Sequence, residues 1–440
     1  MEGDHELPGY TPRVGSSQTS QNVLTTGSEH TISLEDNKGH KWLFLSVRSR
    51  APTPDSLPAF YAGDVISGNV TLDILKSESS KAIMLKASHH LYVQFLVGQE
   101  EQQFLVIEKE LWSPTTALPD GSKVSKLEKC RHTWPFEMTL PKETEVLDRK
   151  EKKIFHLPPS FTERASPAYI NYKLTVVLKR GALRVNQTLT TDFAYVPITR
   201  PDLPSPMLQK AYKENIPLIG PEGDPEGWHI LPTTSITGTL FGTKSVNVDF
   251  TLALTKPLSY ARGSAMPLRL TFTGADEQAL DLLSSPSATS VILKRSLATG
   301  SDAMSEDAGK HTDNFFVKIM ARAVFWPARE SSTTGKRVLE GELKLKNTFK
   351  QSIVFPRFAV RYHLEVHPFE VAGFMHAPPV SGPLLAQPVT VTSFHAAGVV
   401  MRSFAPPEYA HEENENFNNS VGLLENGNQR FYHHGGLGLA

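Results

Sequence analysis

The stretch YINYKLTVVLKRG (169–181) puts Ile170, Tyr172, Leu174, Val176 and Leu178 on one side of an extended chain. Asn171, Lys173, Thr175 and Lys179 fall on the other. Successive side chains of a strand point to opposite faces, so this period of two describes a strand with one buried and one wet face. The same alternation marks VTLDI (70–74) through Val70, Leu72 and Ile74, and IMLKASHHLYVQFLV (83–97) through Ile83, Leu85, Leu91, Val93, Phe95 and Val97. It returns in SVNVDFTLALT (245–255), MPLRLTF (266–272), FFVKIMARAVFW (315–326), ELKLKN (342–347), RFAVRYHLEVHPF (357–369) and PVTVTSF (388–394). Helical spacing is confined to a weak signal at ADEQALDLL (275–283). Half-buried antiparallel strands separated by Pro/Gly/Asp clusters such as SPTTALPDGS and HLPPSF make an all-β chain.

A chain of 440 residues exceeds what one core usually holds, so the strands divide into two packed sandwiches, at 41–198 and 236–396. The proline-dense, non-periodic segment 199–235 is the connector between them. Residues 1–40 and 397–440 have the polar composition of disordered ends. The insert SLATGSDAMSEDAGKHTDN (296–314) reads as a mobile loop. FYAGDVISGNVTLDI (60–74) and SYARGSAMPLRLTF (259–272) each run Tyr-Ala, a glycine, then an alternating strand, which suits a duplicated module.

Charge and cysteine content narrow the function. A net charge of −1 disfavours binding to nucleic acid. The single cysteine, Cys130, fits a reducing compartment. Neither a leader-like apolar segment nor a membrane span is visible, so the expected location is cytoplasmic, and the Asn-x-Thr matches at Asn69 and Asn186 are accidental.

Catalytic motifs are missing from the sequence. It has no Gly-x-Ser-x-Gly elbow and no His-Glu-x-x-His. Near Gly309-Lys310, Met304 stands where a phosphate-binding loop needs its first glycine, and His311 stands where it needs Ser or Thr. His89 and His90, adjacent on a strand, point to opposite faces. His363 and His367 are about 13 Å apart at the usual strand rise, on a face whose neighbours Arg361 and Glu365 read as solvated. No metal, no cofactor and no enzymatic activity are expected. A β-sandwich hydrolase or carbohydrate binder would require convergent carboxylates, and nothing in the sequence places them.

Two features read as binding surfaces. Pro406-Pro407-Glu408-Tyr409 follows the last strand, and adjacent prolines bias the chain toward an extended polyproline II helix that an aromatic groove can read. Lys179, Arg180 and Arg184 bracket the turn at Gly181 and form a candidate basic patch for acidic or phosphorylated segments.

In their order, YAGDVISGNVTLDI, WPFEMTLP, LPPSF, YINYKLTVVLKRG and TLTTDFAYVPI resemble the N-terminal domain of the α-arrestins, a branch of the arrestin superfamily that includes the fungal trafficking adaptors. VNVDFTLALTKPLSYARGSAMPLRLTF, LEGELKLKN and FAVRYHLEVHPF are similar to its C-terminal domain, so the likeness spans about 40–395. It implies two tandem immunoglobulin-like arrestin β-sandwiches, no catalysis, and an adaptor for the cytoplasmic tails of membrane transporters or receptors. Many members recruit a HECT-type ubiquitin ligase when its WW domain binds a Pro-Pro-x-Tyr motif. That assigns Pro406, Pro407 and Tyr409 to WW binding, Lys179, Arg180 and Arg184 to cargo, and the chain to the plasma membrane and endosomes through its cargo. Visual and β-arrestins carry a phosphate-sensitive buried arginine near the end of this domain. VNQTLTTDFAYVPIT (185–199) has no basic residue, which puts such a lock in doubt. An arrestin-fold trafficking scaffold working without a ligase is the alternative.

Overall fold

The computed structural model describes residues 27–75, 80–94, 99–115, 126–148, 150–181, 184–306, 309, 312–329, 333–409, 421 and 423–426. Phe95, Val97, residues 1–26 and most of the chain after 409 lie outside the described residues. The described chain is built of strands, as the alternation requires.

The first half contains β1 (Ser28–Glu35), β2 (Lys41–Ser49), β3 (Ala59–Tyr61), β4 (Val65–Asp73), β5 (Ser80–Gln94) and β6 (Gln99–Trp112), then β7 (Arg131–Thr139), β8 (Glu143–Asp148), β9 (Glu151–His156), β10 (Ala168–Arg180) and β11 (Gln187–Val196). A four-stranded sheet β1-β2-β4-β7 faces a five-stranded sheet β3-β11-β10-β5-β6, while β8 and β9 form a separate hairpin. After α1 (Pro206–Glu214), the second half begins with β12 (Trp228–Ile230), β13 (Thr234–Leu240), β14 (Lys244–Thr255), β15 (Ser259–Ala261) and β16 (Ala265–Gly274). Next come α2 (Glu277–Leu283), β17 (Val291–Thr299), β18 (Asn314–Arg322), β19 (Val324–Pro327) and β20 (Lys336–Lys344). The last are β21 (Ile353–Phe355), β22 (Phe358–Val366), β23 (Phe374–His376), β24 (Leu385–Thr392) and β25 (Leu423–Asn426). One of its sheets runs β19-β20-β16-β14-β13-β23, the other β15-β24-β22-β17-β18-β25.

The two halves repeat one strand order. The path β13-β14-β16-β20 reproduces β1-β2-β4-β7, and β15-β24-β22-β17-β18 reproduces β3-β11-β10-β5-β6. In each half a three-residue strand pairs parallel with the last long strand, and then turns on a glycine with positive φ, Gly63 (89°) or Gly263 (78°). A side chain at Gly263 would be strained by that φ, and its Cβ would lie 2.0 Å from Asn347 Oδ1. Aligning the two glycines pairs buried Phe60 with buried Tyr260, a register one residue away from the Tyr-Ala echo in the sequence.

Several boundaries differ from the sequence reading. β1 occupies Ser28–Glu35, inside the segment 1–40 assigned to disorder, because Ile32 and Leu34 pack on the first core. The connector 199–235 holds α1, β12 and the start of β13. α1 starts at Ser205, whose hydroxyl accepts from the Leu208 N–H, has Pro206 in its first turn, and stops at Asn215 in the left-handed region (φ 55°). Within the insert 296–314, Ser296–Thr299 finish β17, and Arg361 holds the following turn through the carbonyls of Ala303 (2.8 Å) and Met304 (2.6 Å). FFVKIMARAVFW is two strands, since the chain crosses from one sheet to the other at Ala323. The helix expected within 275–283 is present as α2, capped by Asp276.

The halves join through aromatic contacts and one buried ion pair. Phe161 meets Phe358 at 4.7 Å between ring centres, and Phe104 meets Phe355 at 5.1 Å. Arg295 on β17, 2% exposed, forks onto Glu163 of the first half at 2.6 and 2.8 Å, and its Nη2 also donates to the Val421 carbonyl at 2.9 Å. Farther along, Ser393 and Thr199 exchange hydrogen bonds across the same junction.

His89 faces the first core against Tyr172, Phe104 and Phe193, and burial pushes its pKa down to about 3. The neutral ring is stable in the fold while the unfolded chain takes up a proton near pH 6.5. Stability is therefore full above about 6.5 and falls by up to about 1.4 kcal/mol per pH unit as pH drops toward 3. Urea melts of wild type and His89→Leu between pH 7 and 4.5 should show the variant losing part of this slope; equal slopes would exclude His89 as its source.

Candidate functional site

The segment following β24 folds back onto the second half. Its course explains where Pro406–Tyr409 sits. On β20, Leu339 and Leu343 join the core, whereas Glu340 and Glu342 belong to the opposite face. That outer face would be wet in an isolated sheet, yet Glu342 is 4% exposed. It is covered by α1 and by residues 396–404: Leu208, Tyr212, Ala396 and Val399 form a small apolar cluster with Leu218, Met401 and Phe404 around it. The rings of Tyr212 and Phe404 lie 5.9 Å apart. Burial, reinforced by the charge of Glu342, raises the Tyr212 pKa well above its usual value.

The buried carboxylate of Glu342 is an anchor for the tail. One oxygen accepts from the Ser403 hydroxyl at 2.6 Å and the other from the Phe404 N–H at 2.8 Å. Charge-assisted bonds of this kind are the stronger class. Five residues on, the Tyr409 N–H donates to the Pro406 carbonyl at 2.9 Å and closes a single 3-10 turn over Pro407–Tyr409. Pro407 and Glu408 are exposed, while Pro406 and Tyr409 are half-buried. Tyr409 rests against Trp326 of β19, their ring centres 6.5 Å apart at 43°, and Trp326 is itself tied to Glu340 at 3.2 Å. The four motif residues are therefore together at the surface, but in a turn rather than the extended polyproline II form that the paired prolines suggest. A disordered tail does not describe 397–409, and β25 pairs with β18 farther along. Apolar contacts from Val399, Met401 and Phe404 and the two bonds to Glu342 outweigh the chain entropy that composition alone would leave free.

The three cations of the candidate patch are placed less tightly. Lys179 and Arg180 are consecutive at the end of β10 and so point to opposite faces. Arg180 lies 5.6 Å over the Trp42 ring. Lys179 and Arg184 are exposed, and the Arg184 N–H closes the turn onto the Gly181 carbonyl at 2.9 Å. Ala182 and Leu183 lie outside the described residues. A concave surface missed in the sequence is a cleft of about 1210 Å³ between the halves. Its walls carry mixed charge, from Glu101, Glu145, Asp148, Lys153, Asp302 and Arg357.

The face of β22 read as solvated is not. Glu365 is 4% exposed and bonds Lys294 at 2.5 Å, with His367 Nε2 3.2 Å away. Burial pushes the His363 pKa down. β22 lies inside its sheet, between β24 and β17, and its ends carry the buried residues Phe358 and Val366. His89 and His90 do separate, one fully buried and one half-buried. Among the described residues no group of three His, Cys, Asp or Glu side chains could hold a metal ion, and no helix is long and apolar enough to cross a membrane. No protein-family model matches the chain, and no curated protein matches it.

Proposed function

We propose that the chain is a non-enzymatic adaptor of the α-arrestin kind. In this reading its two halves are tandem arrestin-type sandwiches that hold the cytoplasmic tail of a membrane transporter or receptor. The Pro406-Pro407-Glu408-Tyr409 segment recruits a WW-containing HECT-type ubiquitin ligase, which modifies the cargo and promotes its endocytosis from the plasma membrane. The adaptor raises the ligase's local concentration at the cargo without chemistry of its own. The observation that carries the reading is the motif at the surface just beyond the last long strand of a duplicated sandwich, with Pro407 and Glu408 open to solvent. The repeated strand order supports the platform, and the cleft between the halves is roomy enough for an extended peptide. Lys179 and Arg184 offer exposed charge to acidic cargo.

Proximity labelling in cells tests it. The intact chain is expected to label a WW-containing ligase, and Tyr409→Ala to lose that label; equal labelling would remove the recruitment mechanism. One observation favours the alternative, a trafficking scaffold that works without a ligase: the motif rests in a turn against Trp326 instead of standing free. Under that alternative, association with vesicle coats survives Tyr409→Ala and ligase labelling is low in both proteins.

A further inference from the structure

We infer that Ser403 is a phosphorylation site whose modification unlatches the tail and opens the Pro406–Tyr409 segment to its reader; the inference rests on the WW-binding reading above. Three facts about the tail meet at this point. Ser403 is exposed, so a kinase can reach its hydroxyl. That hydroxyl donates its only proton, at 2.6 Å, to a carboxylate that is 4% exposed. The adjacent Phe404 N–H donates to the other oxygen of the same carboxylate, so one side chain pins two successive tail residues.

A protein kinase would move the γ-phosphoryl group of ATP to Ser403. The Oγ–P bond forms, the bond from the γ-phosphorus to the bridging oxygen of ADP breaks, and the hydroxyl proton passes to the kinase's base. The product no longer has a hydrogen to give Glu342. It also carries about two negative charges at pH 7 against a buried negative charge at hydrogen-bond distance. A phosphate at hydrogen-bond distance from a buried carboxylate is repelled by it, and the yielding partner is the surface tail, because Glu342 is fixed in a strand paired on both sides. Of the cations on this face, Arg269 is committed to Glu340 (3.7 Å) and Glu222 (4.0 Å), Lys336 pairs with Glu222 (3.6 Å), Lys344 stands at the exposed end of β20, and Arg402 belongs to the tail and leaves with it.

Release of Ser403 and Phe404 removes the anchor five residues before Tyr409. What then holds the motif is the packing of Phe404 on Tyr212, one turn bond and the contact with Trp326, and neither of the last two matches the extended form a WW groove takes. The unphosphorylated chain is thus a closed reader-binding segment, and phosphoserine at 403 shifts it open.

The test uses the purified full chain, unmodified or with phosphoserine installed at 403, in two measurements. Hydrogen exchange by mass spectrometry should show the Phe404 and Tyr409 amides exchanging at least tenfold faster in the phosphorylated protein, and Glu342→Ala should match it without phosphate. Exchange unchanged within twofold would overturn the latch. Binding of an isolated WW domain should tighten at least fivefold on phosphorylation, while a free peptide of residues 400–411 binds equally with and without phosphate. If the peptide responds as the full chain does, phosphate acts on the WW contact itself and the latch fails. If the peptide binds no WW domain at all, the recruitment reading fails, and the exchange measurement still decides the latch.

Discussion

Replacing Glu163 by Ala is expected to lower the unfolding free energy by about 3–5 kcal/mol, because it leaves the buried Arg295 guanidinium without its carboxylate and beside the further cations Lys318 and Lys350. Arg295 shares its strand face with Leu293 and Leu297, both buried, and makes its two short bonds to a carboxylate from the other half. It has no route to water without opening that junction. Arg295→Ala should cost a similar amount, by leaving Glu163 and the Val421 carbonyl without their donor. The double variant Glu163→Leu with Arg295→Met should recover most of the loss, since no charge is then buried alone. By contrast, removing Lys152 from its 2.6 Å pair with Glu145 should leave stability essentially unchanged, because both side chains are more than half exposed and water screens the pair. Denaturant titration measures all four. A Glu163→Ala value near that of Lys152→Ala would show that the halves do not depend on this pair.

Truncating Phe60 or Tyr260 to Ala should each cost about 3–5 kcal/mol, the range for deleting a large buried ring. Each side chain is 1% exposed, and each sits in the short strand that pairs parallel with the last long strand of its own half, Phe60 opposite Tyr195 and Tyr260 opposite Val391. Phe60 packs edge-on against Phe193 at 5.5 Å. Tyr260 adds a hydrogen bond from its hydroxyl to the Thr255 carbonyl at 2.5 Å, so Tyr260→Phe should lose only about 0.5–1.5 kcal/mol. Similar losses at the two positions would support a repeated architecture at the level of energetics. A small effect at either one would mean that its half does not rely on the element both share.

How much was legible depended on which contacts a residue's role comes from. Alternation in YINYKLTVVLKRG is a local property, and β10 shows it residue by residue, with Ile170, Tyr172, Leu174, Val176 and Leu178 buried. It failed at β16, where covering elements bury both faces and nothing within the strand says so; β17, buried the same way, shows no alternation and went unread as a strand. The caps of α1 were readable: Ser205 before Pro206, Leu208, Ala211 and Tyr212 at helical spacing, then Asn215. They were hidden among prolines that favoured a connector. The motif at 406–409 was visible because its four residues are contiguous in the sequence. Its anchor was not, since Glu342 looks like any outward carboxylate on an alternating strand until the tail is laid over it. Arg295 and Glu163, 132 positions apart, carry no sequence signal that joins them.

The most direct test of recruitment by this tail is isothermal titration of a WW domain into the purified chain and into Tyr409→Ala. In the proposed contact the tyrosine would fill one of the two pockets such a domain offers, so the variant should bind at least tenfold more weakly while its unfolding transition stays within about 1 kcal/mol of wild type. Equal affinity of the two proteins, or no affinity in either across a panel of WW domains, would contradict the account.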